Sequence, residues 1–367
     1  VASIGANSSE VFDALCAGRS GLALLRGFDP TLFRAQRAYE IPEPTRTTGA
    51  DRPHRATDLV FQAISEAVLD AGIGEDLNRV PVLVGTGLRE LRSAELWWTD
   101  GTPMTTASLY FGTALRKRFG AATSYTFSNA CSASLYALGL GADLLASGAI
   151  DTVVVAGVDV ITESMFGLLD RVHPHPVDAV RPFDRSRRGV LMGDGAAAVV
   201  LRSADSGPAK AWLRGVGLNC DAHHVTAPDP AGMNAAMQDA YALAGVTPSE
   251  VDLVMAHGTG TLLNDEAEAA ALTKAFAGLE VSPLVTAMKS MTGHTSGASG
   301  LMSLVVATSC LTTGVVPPTV GLADPVDEAS GLRFVTRGPT RADLRLAQVD
   351  AFGFGGVNAV AVVERGE

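Results

Sequence analysis

Leu253-Val-Met-Ala-His-Gly-Thr-Gly260 is a short apolar run that stops on a histidine and a glycine turn, and Pro81-Val-Leu-Val-Gly-Thr-Gly87 repeats its ending. Short apolar runs bounded by glycine read as strands buried on both faces. The same texture recurs at Thr152–Ala156, Ala196–Leu201, Gln348–Phe352 and Asn358–Val363. Helical periodicity predicts helices over Ser8–Ala17, Ala56–Ala71, Ser132–Ser147, Met233–Ala244, Asp265–Phe276 and Gly297–Thr312. Strands alternating with helices predict an α/β fold around a largely buried sheet. The shared Gly-Thr-Gly ending points to a duplicated chain of two βαβ-rich halves, 1–205 and 206–367. They would meet near Ser203–Pro208, where polar and turn residues interrupt the pattern. Chance similarity of two strand ends is the competing reading of the echo taken alone.

Composition narrows the function classes. A chain of 367 residues, 47% hydrophobic with 39 glycines, can fill the core of one large domain or of two closely packed halves. The net charge of −11, without a long Lys/Arg run, argues against a nucleic-acid partner. Apolar stretches are interrupted by polar side chains before membrane-spanning length, and the N-terminus lacks signal-peptide order, so a cytoplasmic protein without a membrane partner is expected. The chain opens at Val1 without a methionine, so further residues, a first strand among them, are expected ahead of it. Cys16, Cys131, Cys220 and Cys310 are too scattered for a disulfide framework and are expected to be reduced and mostly buried. His173-Pro-His175 and His223-His224 lack partners at ligand spacing, so no metal is expected, and Gly85-Thr-Gly87 lacks the third glycine and the acid of a dinucleotide site.

Candidate chemistry starts at Ser128-Asn-Ala-Cys131-Ser-Ala-Ser134, a turn that runs into a helix of small residues. Free N–H groups and the positive end of a helix dipole favour thiolate, so the Cys131 pKa is expected to be lowered. A small buried hydrophobe is the commoner fate of a free cysteine. His257 ends an apolar strand, where α/β folds place side chains for chemistry. His294 lies in Lys289-Ser-Met-Thr-Gly-His294-Thr-Ser-Gly297, a polar turn before a helix. Two histidines on such turns beside a helix-start cysteine form a candidate nucleophile and its partners.

Taken in order, Asn129-Ala-Cys131, Arg181-Pro-Phe-Asp184, Gly193-Asp-Gly-Ala196, His257-Gly-Thr-Gly-Thr261, Lys289-Ser-Met-Thr-Gly-His294 and Phe352-Gly-Phe-Gly-Gly-Val-Asn358 resemble the elongating β-ketoacyl synthases over nearly the whole chain. That resemblance implies the thiolase fold, a five-layer αβαβα sandwich of duplicated halves. It also implies decarboxylative Claisen condensation of an acyl group on Cys131 with malonyl-acyl carrier protein. His257 and His294 would stabilise the enolate, with Lys289 and Glu268 supporting them. The N–H groups of Cys131 and Phe354 would form the oxyanion hole. Phe354, between Gly353 and Gly355, would swing as a gate, and Thr259 and Thr261 would bind the pantetheine arm. No bound cofactor is implied; acyl and malonyl groups arrive on the phosphopantetheine of a carrier protein.

The resemblance further implies a dimer whose sheets pair across a two-fold through a strand like Thr152–Ala156. That dimer is either a homodimer or a heterodimer with a chain-length-factor-like subunit. Fatty-acid and polyketide pathways both stay open, shorter loops favouring polyketide, and a degradative thiolase is a further alternative. Trp97 and Trp98 read as a helix end packed on its own core or as a tunnel or partner surface. Arg116-Lys-Arg118 reads as a solvated helix face.

Overall fold

The computed structural model describes residues 1–43 and 51–366. The N-terminal half runs α1 (Ser8–Cys16), β1 (Ala23–Leu24), β2 (Arg37–Ala38), α2 (Arg55–Asp70), β3 (Val82–Gly85), α3 (Leu91–Asp100), α4 (Gly112–Phe119), β4 (Ser124–Phe127), α5 (Ala133–Ala146), β5 (Thr152–Asp159), α6 (Glu163–Val172) and β6 (Gly195–Arg202). The C-terminal half continues with β7 (Ala211–Cys220), α7 (Pro230–Ala244), β8 (Leu253–Met255), α8 (Leu262–Ala275), β9 (Leu284–Thr286), α9 (Lys289–Thr292), α10 (Ser299–Thr313), β10 (Val315–Val316), β11 (Arg333–Phe334), β12 (Thr340–Arg341), β13 (Leu346–Gly353) and β14 (Val357–Arg365).

Duplication is visible in the sheets. One has the order β4-β3-β5-β6, with β3 parallel to β4 and β5, and β6 antiparallel to β5. The other contains β9-β8-β13-β14 with the same directions, extended by β11 and β7 at its ends. β3 and β8, the two strands of the Gly-Thr-Gly echo, thus hold matching places. The segment Ser203–Pro208 falls between β6 and β7 and contains the 3-10 turn Ala204–Ser206. Val1 and Ala2 pair with the start of β6, Val1 exchanging hydrogen bonds with Ala196.

Five layers follow from burial on alternating faces. Val153 and Val155 of β5 enter a central core with residues of α5 and α10, while Val154, Ala156 and Val158 enter an outer core with α2 and α4. On β13, Ala347, Val349 and Ala351 face the centre, whereas Leu346 and Phe352 join the other outer core with α7 and α8. Two-residue alternation forces this division once both faces are covered. α10 is apolar enough over Ser296–Thr313 to pass as a spanning helix by length and composition, but 72% of that window is buried inside the protein.

Three expectations need correction. β5 lies inside its sheet with β3 and β6 on either side, so it has no free edge to pair across a two-fold; the edges are β6, whose start Ala2 covers, and β4, whose Tyr125 is 55% exposed. Trp97 and Trp98 do not pack on their own core: they are 51% and 81% exposed at the end of α3. All four cysteines are free as expected, but Cys310 alone is buried and Cys220 is exposed. Arg116, Lys117 and Arg118 form an exposed last turn of α4, with Arg118 paired to Glu75 at 3.0 Å.

Candidate active site

The carboxyl ends of β4, β8, β9 and β13 carry Cys131, His257, Lys289 and Phe354, with His294 in the turn before α10 and Glu268 on α8. After β4 the chain turns through Ala130 at φ +49°, a left-handed value costly for a residue with a Cβ, and a 3-10 turn leads Cys131 into α5. Gly85 permits this approach, because a Cβ there would lie 2.3 Å from the Ser134 nitrogen. His294 enters from the matching turn before α10, with its Nε2 2.9 Å from Cys131 Sγ. His257 stands edge-to-face against His294, ring centroids 5.3 Å apart. The sulfur and one nitrogen of each ring all lie within 4.8 Å of one another.

Lys289 determines what His257 can donate. Its ammonium donates to the His257 carbonyl and lies 3.3 Å from Nδ1, so Nδ1 accepts and the proton sits on Nε2. That Nε2 has no partner among the described residues. His294 differs: its Nδ1 has no partner among the described residues, so none of them locks the ring in one tautomer. Burial first, then the Lys289 charge, hold both imidazoles well below their usual pKa, and both are neutral. Burial likewise lowers Lys289 to about 8, against the attraction of Glu268, so it remains an ammonium at neutral pH.

Cys131 reverses its expectation. Enclosure raises the thiol to about 11, although Lys289 and the N–H groups of Phe354 and Cys131 itself pull it down. That rise, about 3 kcal/mol, exceeds the at most about 2 kcal/mol that the field of a helix end contributes. The resting residue is a thiol.

The supporting residues act on backbone. Glu268 accepts from the N–H groups of His257 (2.6 Å) and Gly258 (2.8 Å), fixing the turn that aims the imidazole; burial raises its carboxyl, against the pull of those two N–H groups and Lys289. Thr259 and Thr261 hydroxyls bond each other at 2.9 Å, and Thr261 caps α8 through the Asn264 N–H. Gly353 sits where a Cβ would come within 3.2 Å of the Cys131 nitrogen. Phe354 is 52% exposed, and the loop after it is clasped by Gly355 N–H to the Val225 carbonyl (2.8 Å), Asp221 N–H to the Gly356 carbonyl (2.9 Å) and Cys220 Sγ to the Gly355 carbonyl (3.4 Å).

Asp159 escaped the sequence reading. Fully buried at the end of β5, it accepts from Thr86 Oγ1 (2.7 Å) and the N–H groups of Gly87 (2.7 Å), Leu88 (2.8 Å) and Gly297 (2.7 Å). It thereby fills the Gly85-Thr86-Gly87 turn and ties it to the His294–Gly297 turn of the other half. A lone acid closing an apolar strand was its single signal. Asp265 was missed likewise; it joins the Phe183 N–H (2.7 Å) to the Gly260 N–H (3.1 Å). The histidines set aside as metal ligands accept backbone N–H groups: His173 from Val190 (3.3 Å) and His224 from Thr226 (3.1 Å).

A part-buried thiol against two neutral imidazoles on a duplicated five-layer fold is an arrangement that suits a cysteine-dependent acyl-transferring enzyme. The family models described as "Beta-ketoacyl synthase, N-terminal domain" and "Beta-ketoacyl synthase, C-terminal domain" match residues 1–206 and 210–323. The chain is 30% identical to 3-oxoacyl-[acyl-carrier-protein] synthase 2 of Vibrio harveyi, covering 99% of this chain and 95% of that protein. It is 28% identical to the protein of the same name from Coxiella burnetii (strain RSA 493 / Nine Mile phase I), covering 100% and 96%. A solved structure described as "The ishigamide ketosynthase/chain length factor" superposes with a TM-score of 0.89 at 30% identity, covering 100% of this chain and 96% of that one. The chain belongs to the β-ketoacyl synthase family, acyltransferases that condense acyl thioesters.

Proposed function

We propose that the chain is an active elongating ketosynthase in which Cys131 carries the acyl group and His257 and His294 drive condensation with malonyl-acyl carrier protein. The observation that carries this reading is the contact of 2.9 Å between His294 Nε2 and Cys131 Sγ, beside an unpartnered His257 Nε2–H. Sγ attacks the carbonyl carbon of a carrier-bound acyl thioester, and the pantetheine sulfur leaves with the proton that the cysteine gives up. His294 Nε2 is placed to hold that proton in passage. Negative charge on the carbonyl oxygen falls to the N–H groups of Cys131 and Phe354.

In the second half-reaction the bond from the malonyl methylene carbon to its carboxylate breaks and carbon dioxide leaves. The electron pair becomes an enolate, whose oxygen accepts from His257 Nε2–H and, once the sulfur is acylated, from His294 Nε2–H. The carbanion bonds to the acyl carbon, the C–S bond breaks, and the Cys131 thiolate takes a proton from solvent. Acyl and malonyl groups enter on phosphopantetheine past Phe354, with Thr259 and Thr261 along the arm; no bound cofactor is needed, and the protein is cytoplasmic. The pathway is type II polyketide or fatty-acid biosynthesis.

Pairing with a second subunit uses the free edge of β4, in a homodimer or with a chain-length-factor-like partner. The likeness to the ishigamide ketosynthase/chain length factor favours the heterodimer. A thiolase would need a second cysteine in the site, whereas Cys310 is buried within α10. The test separates the half-reactions: Cys131→Ala loses acyl loading, while His294→Ala loads but does not condense. Condensation at the wild-type rate by either variant contradicts the assignment.

A further inference from the structure

Three carboxylates and one ammonium share the interior beside His257: Asp265 and Glu268 on α8, Asp350 on β13 and Lys289 on α9, each at most 3% exposed. The Arg187 guanidinium also acts on Asp265 but is itself paired to Glu266, so around Lys289 three carboxylates face one ammonium; closed off from water, that excess of negative charge is not sustained, and some of these acids hold protons. Hydrogen bonds indicate which. Asp265 receives the N–H groups of Phe183 and Gly260 and the Asn264 amide; Glu268 receives those of His257 and Gly258 and the same amide. Such donors favour the anion. Among the described residues Asp350 receives one donor, the Gln348 amide at 2.7 Å on Oδ1, and its Oδ2 has no partner. Gln348 is held in turn by the Tyr241 hydroxyl from α7.

We propose that Asp350 carries a proton in the resting enzyme and acts as a positioning residue, limiting the negative charge around Lys289 so that its ammonium stays aimed at His257. Burial, reinforced by the charge of Glu268, holds the Asp350 carboxyl well above the usual range, against the opposing pull of Gln348 and Lys289. The groups acting on it come from four neighbouring elements: Tyr241 from α7, Glu268 from α8, Lys289 from α9 and Gln348 on β13 itself. The functional consequence rests on His257 being the enolate donor; the proton itself does not.

Infrared difference spectroscopy of the whole protein at pH 7, wild type minus Asp350→Asn, is expected to show a carboxylic-acid C=O band lost in the variant. Absence of that band overturns the proposal. Gln348→Leu keeps Asp350 and removes the donor to Oδ1, so the same band moves to higher frequency; a spectrum with no acid band to move also overturns it. Malonyl decarboxylation gives the second readout. Asp350→Asn replaces one neutral group by another, so the alkaline limb set by Lys289 stays in place. An ionised Asp350 would support the ammonium, and its removal would lower that limb by about one pH unit or more. An acid band without malonyl decarboxylation in any of the proteins leaves the proton standing and refutes the assigned reaction.

Discussion

Asp159→Ala tests how the two halves are locked at the site. The substitution removes the acceptor of four buried donors, Thr86 Oγ1 and the N–H groups of Gly87, Leu88 and Gly297. Orphaned donors cost about 1–3 kcal/mol each, so about 4 kcal/mol is the lower bound. Burial works the other way by raising the Asp159 carboxyl from 3.8 to about 6. A carboxyl raised on folding contributes stability that is complete below its unfolded pKa and is lost as pH rises through the folded one. The loss amounts to about 3 kcal/mol. The alanine variant is therefore destabilised more at pH 4.5 than at pH 7.5, because above about pH 6 the wild type already bears the ionised group. An unfolding entropy of about 2.1 cal/mol/K per residue makes each kcal/mol worth about 1.3 °C in a chain of this size. Calorimetry is expected to show a Tm drop of about 5 °C or more at the lower pH and a smaller drop at the higher one. Equal drops at both, or a loss below about 1 kcal/mol, would refute the hub.

Two further outcomes follow from the charges around the nucleophile. Malonyl decarboxylation by the wild type is expected to fall as pH rises through about 8, where Lys289 loses the proton that keeps His257 Nδ1 an acceptor. Lys289→Met is expected to lose about 10²-fold in rate at neutral pH and to lack that alkaline limb; a limb retained at the same pH would place its origin elsewhere. Alkylation of Cys131 by iodoacetamide, followed on its own peptide because Cys220 is exposed, is expected to accelerate with pH well beyond neutrality. A rate already level at pH 7 would mean a preformed thiolate.

The fold was legible where strands are buried on both faces, since β3, β5, β8 and β13 announce themselves as apolar runs. β7 was not: Gly215 and Gly217 interrupt it, because α7 packs so closely that a Cβ on Gly217 would lie 2.1 Å from the Ala236 carbonyl oxygen. β4 hid because one edge stays open and its side chains alternate in exposure, which also misdirected the expectation about pairing. His257, Lys289, His294 and Phe354 were readable because each sits beside a glycine-containing turn at a strand or helix end, and Cys131 because its turn runs into a helix of small residues. Asp159, Asp265 and Asp350 carry no such local mark; their weight comes from donors and charges brought in from distant segments. The Cys131 pKa failed for the same reason, since a helix start is visible in sequence and enclosure is not.

Intact-mass spectrometry with a panel of acyl carrier proteins, followed by malonyl carrier protein, tests the central claim most directly. The account predicts an acyl mass on Cys131 that disappears into a carrier-bound product longer by two carbons, and no loading of Cys131→Ala, with the partner subunit supplied if the chain does not load alone. Acyl groups that load on Cys131 and are only hydrolysed, with the partner present, would contradict it.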